Sequence, residues 1–190
     1  MKYQLITGRN VSDQDIFDAV KLDELVYPEQ YRGKLPVCLN WHHKNPDIYT
    51  ILKDEEGHVI AYVNVLPVTN ECYMDLYVGR IHDVDITEDM ILTYEPGTFC
   101  NIYLSSIVIH PAHCSIHALR MLILAVLKQL QLVQVNRVFI QRILADAVSP
   151  SGIKLCRMLK MRQIGQTQYK SVLFDTTFHM LVAAGSAIFT

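Results

Sequence analysis

Between Ile109 and Leu119 the sequence runs Ile-His-Pro-Ala-His-Cys-Ser-Ile-His-Ala-Leu. Pro111 closes an extended apolar run, and the polar turn at 112–115 opens a long apolar helix. A strand followed at once by a helix N-terminus aims backbone N–H groups at whatever lies in front of the sheet. Such a place favours an anion, a phosphate above all. Ser115 and His117 add side-chain donors there. His110, His113, Cys114 and His117 are also zinc-ligand types, but Pro111 interrupts them and they form no ordered pair on a helix. They are read as cofactor-facing or solvated, with no metal expected. Upstream, Tyr103 precedes Ser105 and Ser106, whose side chains leave opposite faces of one strand. Downstream, Cys156 stands beside Leu155 and Leu159. Its thiol, with an ordinary pKa of about 8.5, is either a proton donor or a small core group. Between 75 and 95 the acids Asp75, Asp83, Asp85, Glu88, Asp89 and Glu95 face one cation, Arg80. That excess suits a partner carrying positive charge.

The elements that must position these groups follow from pattern. Residues 3–7 read as a first strand. Ser12, with Asp15 three residues on, caps a helix whose apolar positions recur from Ile16 to Leu25 and which ends at Tyr27-Pro28. Residues 29–46 are turn-rich. Residues 48–53 and 58–67 form a hairpin around Gly57, with Val59, Ala61, Val63 and Val65 alternating. Residues 74–84 are expected to extend or add a strand, and 86–94 to form a short helix capped by Thr87. Glu95-Pro96-Gly97 is a turn. A strand over 99–109, a helix over 116–132, a strand over 136–144 and a helix from Ser149-Pro150 to about 161 come next. Two closing strands, 163–167 and 169–175, complete one α/β domain spanning 1–190.

This order resembles the acyl-coenzyme A-binding half of the GCN5-related N-acetyltransferases over about residues 48–175. In that family a strand ending near V-x-P leads to Q/R-x-x-G-x-G/A, whose amides cradle the pyrophosphate of coenzyme A. Ile109-His110-Pro111 matches the first part. Cys114 stands at the Gln/Arg place, His117 at the first glycine and Leu119 at the last, or Ala118 if the helix starts one residue later. The resemblance implies a mixed, centrally splayed sheet flanked by helices. It implies that pantetheine pairs with the backbone of Ile107, Val108 and Ile109, and that the pyrophosphate sits at Cys114, Ser115, Ile116, His117, Ala118 and Leu119. The family's N-x-x-A-x-x-x-Y helix aligns with Ser149-x-x-Gly152-x-x-x-Cys156. Ser149 then takes the cofactor-contacting place and Cys156 that of the thiolate-protonating Tyr. Tyr103 stands where one branch of the family has its general-base Glu, so the acceptor's proton goes to ordered water or to an acid between 75 and 95.

The implied activity is acyl transfer, acetyl in the simplest case, from acetyl-CoA to a primary amine on a small molecule or peptide. The alternative is a weak or inactive coenzyme A-binding module on the same fold. Hydrophobic residues make up 51% and charged residues 19% of the chain, with a net charge of -2. A globular domain follows, with no field to attract nucleic acid. Five scattered cysteines without a C-x-x-C suit a reducing cytoplasm. The apolar runs 121–127 and 180–189 are short for a membrane span, so no membrane partner is expected. The tail 176–190 is too apolar to stay in water. It is expected to dock as two short pieces split at Gly185-Ser186, in the chain's own groove or across a homodimer contact.

Overall fold

The alternating strands assemble one seven-stranded sheet in the order β1-β2-β3-β4-β5-β7-β6. The computed structural model describes residues 3–168 and 170–189. The start of the strand expected at Tyr169 lies outside the described residues. The strands are β1 (Gln4–Thr7), β2 (Tyr49–Lys53), β3 (Val59–Val68), β4 (Phe99–Ile109), β5 (Phe139–Ala147), β6 (Arg162–Gln166) and β7 (Val172–Thr177). Every pairing is antiparallel except β4 with β5. That parallel step needs a crossover, and the helix α4 (Ile116–Val135) supplies it.

Helices cover both faces. On one side α1 (Asp13–Val26), α2 (Leu35–Lys44) and α3 (Asn70–Tyr77) bury Ile16, Leu22, Trp41, Tyr73 and Leu76 against the sheet. On the other, α4, α5 (Pro150–Met158) and α6 (Phe178–Phe189) bury Leu122, Val126, Leu130, Leu155, Phe178 and Leu181. The start of α1 is fixed as its sequence implies: Ser12 and Asp15 form a reciprocal capping box. α4 has the length and composition of a membrane-crossing helix. Here its apolar stripe, with Ala118, Leu122 and Leu130 almost wholly enclosed, packs on the sheet.

Three local expectations are corrected. Residues 74–84 form no strand: they hold the end of the helix over 70–77 and the turns after it, Thr69 caps that helix by accepting from the Cys72 amide, and Cys72, Tyr73 and Leu76 share one buried face. Residues 86–94 hold only a single 3₁₀ turn, Glu88–Met90, after which Ile91 bridges to Val68. The tail is not broken at Gly185. α6 runs through it and docks on α4, because Gly185 lets Leu127 come close; a Cβ there would lie 2.4 Å from Leu127 Cδ1. Much of the apolar surface that suggested a two-fold contact is therefore covered within the chain, with Met180 and Ile188 left exposed.

Candidate functional site

Strands β4 and β5 pair from Phe99–Phe139 to Leu104–Ala145 and then part. At the same level β4 carries a bulge against β3, where Asn64 faces Ser106 and Val65 faces Leu104, leaving Ser105 as the extra residue. Beyond this point one edge of β4 is open. A cavity of about 630 Å³ occupies the gap, lined on the β4 side by Ser105, Ser106, Ile107 and Ile109. The centrally splayed sheet expected from the sequence is thus present. Its open edge offers backbone hydrogen bonds to an extended arm, as an added strand would use them.

Two helix N-termini point at this cavity. Ser115 Oγ accepts from the Ala118 amide at 3.2 Å and Ser149 Oγ accepts from the Gly152 amide at 3.0 Å. Cys114, Leu119 and Ser149 line the cavity. Ser115, Ile116 and His117 are exposed and do not line it, and His117 is stacked on Tyr3 with ring centroids 6.0 Å apart. Ala118 is enclosed under the first turn of α4, and the Val108 side chain is buried in the core on the α1 side. Of the ten expected coenzyme contacts, those two can serve only through their backbone.

Cys156 and Tyr103 both line the cavity from buried positions. Burial pushes the Cys156 thiol up to about 12, which makes it a poor proton donor to a departing thiolate. Burial, with Asp83 and Asp146 nearby, pushes the Tyr103 hydroxyl well above its usual value, so it stays protonated and cannot serve as a base.

Two acids that only the fold brings together also reach the cavity. Asp83, half-buried in the 3₁₀ turn Asp83–Asp85, reaches the cavity from the acidic connection, and Asp146 reaches it from the end of β5. Burial raises Asp83 to about 7, with Asp146 and Asp23 adding to the shift. Burial also raises Asp146. The Ser171 hydroxyl, donating to Oδ2 at 2.9 Å, and His82, whose Nδ1 lies 3.5 Å from it, oppose that shift. Asp146 Oδ1 is buried and has no hydrogen-bond partner among the described residues. The acid-rich connection was the sequence's pointer to Asp83. Asp146, an acid following the apolar run Ile143–Ala145 shortly before the Ser149 cap, was a readable signal that sequence reasoning passed over. Tyr27 was also missed: its hydroxyl donates to the Ile107 carbonyl at 3.3 Å, on the backbone assigned to pantetheine.

No protein-family model matches the sequence, and no curated protein matches it. Solved structures do. The loading GNATL domain of CurA from Lyngbya majuscula aligns at 12% identity over 94% of this chain and 99% of its own, with a TM-score of 0.66. The chain has the fold of the GCN5-related N-acetyltransferases. The GNAT-like decarboxylase GphF, in complex with isobutyryl-CoA, aligns at 10% identity over 94% and 100% of the two chains with a TM-score of 0.66. A chain of the NatC complex bound to Gag peptide and CoA does so at 9% over 92% and 96%, with a TM-score of 0.63. At such identities the likeness concerns the GNAT fold alone.

Proposed function

We propose that this chain transfers an acyl group, acetyl in the simplest case, from acyl-coenzyme A to a primary amine. The observation that carries this is the cavity at the β4–β5 parting, bounded by an open strand edge, two capped helix N-termini and two carboxyls held above their ordinary range. The coenzyme A complexes of GphF and NatC support the donor class.

The residues present fit such a donor. The edge at Ile107–Ile109 can pair with the pantetheine amides, the α4 N-terminus can receive the pyrophosphate, and Ser149 can contact the arm. The donor supplies an activated thioester carbonyl. Backbone N–H groups on the open edge of β4 polarise that carbonyl as charge develops on its oxygen. Asp83, ionised above about pH 7, accepts the proton that the acceptor ammonium must lose. A C–N bond forms as the C–S bond breaks, and the thiolate takes its proton from water, since the Cys156 thiol is too weak an acid. Holding amine and thioester together supplies much of the acceleration.

The second reading, a coenzyme A-binding module with little turnover, is favoured by that same weakness of Cys156. Thiol release from acetyl-CoA with a panel of primary amines separates the two. Amine-dependent release, lost in Asp83→Asn, supports transfer. Coenzyme A raising the melting temperature without release under any amine leaves the binding module.

A further inference from the structure

Behind the bulge at Ser105 lies a second, smaller pocket of about 30 Å³, which shares Asp83, Ser105 and Ser106 with the large cavity. That volume admits one or two water-sized groups. Its walls come from α1, α2 and the β2–β3 hairpin: Asp23, Trp41, Tyr49, Tyr62 and Asn64, all buried.

The donors on those walls are already engaged. The Tyr62 hydroxyl and the Gly33 amide donate to the two oxygens of Asp23, the latter at 3.1 Å. Trp41 Nε1 donates to the Ile86 carbonyl at 3.1 Å, and Tyr49 is paired with Cys38. Asn64 Nδ2 donates to the Ile48 carbonyl at 3.3 Å, which fixes the orientation of that amide. What remains is acceptor capacity. Asn64 is 2% exposed, and its Oδ1 has no hydrogen-bond partner among the described residues. An acceptor left unmatched in such a place is costly unless a donor group enters. The same pocket is lined by a carboxyl and three aromatic rings, an environment suited to a cation. The Ser105 and Ser106 hydroxyls can turn either way, and Lys34 sits exposed at the rim.

We propose that this pocket holds the distal ammonium of a short aliphatic diamine, whose other amine attacks the thioester beside Asp83. The proposal rests on the acyl-transfer function and names its acceptor class. The acceptor's chain would pass the bulge at Ser105, placing one nitrogen in each cavity. A monoamine of the same length would leave Asn64 Oδ1 unmatched, and a site built around a hydrogen bond discriminates strongly against a ligand lacking it.

Initial rates of thiol release from acetyl-CoA, measured for the diamines from diaminoethane to diaminopentane and for the matched n-alkylamines, test it. At the best length the diamine should exceed its monoamine in kcat/KM by about tenfold or more. Asn64→Leu should bring that ratio near one, and Asn64→Asp should keep or raise it. Lys34→Met, at an exposed position that leaves folding untouched, should raise it by about twofold by removing a competing cation. A ratio near one at every length, or one unchanged in a folded Asn64→Leu protein, overturns the assignment. An ammonium could also arrive on the donor. If the Asn64 dependence appears only with β-alanyl-CoA, the pocket belongs to the acyl group and the diamine proposal fails. Should no amine release thiol, the acyl-transfer function fails separately. The pocket is then read by calorimetric titration of diaminobutane and butylamine into the coenzyme A-loaded protein, where Asn64-dependent preference for the diamine supports the ammonium site without the transfer step and equal binding overturns it.

Discussion

The two halves of the cleft use different parts of the chain. The half proposed to face the coenzyme rests on backbone: the open edge of β4 and the first turns of α4 and α5, with Ser115 and Ser149 as caps. The half proposed to take the acceptor rests on side chains from α1, α2, β3, β5 and the 83–85 turn, most of them buried, with Asn64 Oδ1 and Asp146 Oδ1 lacking a hydrogen-bond partner among the described residues. Backbone does not change when side chains do, so the first half can keep its shape while His117 and Leu119 replace the glycines of the resembled motif. The second half has no such tolerance. Removing one carboxyl there should change the chemistry.

The largest expected effect is therefore on the acceptor side. Asp83→Asn should cut kcat/KM by about a hundredfold or more, with coenzyme A affinity held. In the unsubstituted protein the rate should rise as pH passes about 7, where Asp83 ionises. Its effect on stability has the opposite sign. The folded state binds this proton more tightly than the unfolded chain does. The stabilisation is fully present below the unfolded value of 3.8 and is lost as pH rises through about 7. Asp83→Asn should thus melt higher than the parent at neutral pH while turning over more slowly. A lower melting temperature with the same loss of rate would make Asp83 a structural group.

On the coenzyme side the sharpest probe is an anion in the cradle. Ser115→Glu removes the cap and opposes the phosphates, and should weaken coenzyme A binding by on the order of 1–3 kcal/mol. Calorimetric titration reads it, and unchanged affinity would place the phosphates elsewhere. Tyr27→Phe acts in the other direction. It frees the Ile107 carbonyl from the Tyr27 hydroxyl, so coenzyme A should bind about threefold tighter. Weaker binding would mean that the hydroxyl itself contacts the donor. Smallest is Cys156→Ala, expected to lower stability by about 1 kcal/mol and to change the rate of thiol release by less than about twofold. A tenfold slower release in the folded protein would return Cys156 to the role of proton donor.

The same division decides what the sequence could reveal. Features written in local periodicity were legible: the Ser12–Asp15 capping box, the hairpin around Gly57, the long apolar helix after Pro111, and the Ser149-Pro150 start of α5. The order of those elements sufficed for the fold and for the open edge of β4, because both are backbone properties. Thr69 and the spacing of Cys72, Tyr73 and Leu76 also carried a helix signal, which strand-like neighbours obscured. Gly185 suggested a break because its role is close packing against Leu127, which no local pattern encodes. The acceptor side was least legible. Asp23, Asn64, Asp83 and Asp146 come from four separate segments, and their shared environment exists only once burial has raised three of them and left Asn64 Oδ1 unmatched.

A crystal structure of the protein with acetyl-coenzyme A tests the central claim most directly. The pantetheine should lie along Ile107–Ile109, the pyrophosphate against residues 114–119, and the thioester at the parting of Leu104 and Ala145, facing Asp83. A coenzyme bound outside this cavity, or a cavity closed by β4 and β5 pairing past Leu104, would contradict it.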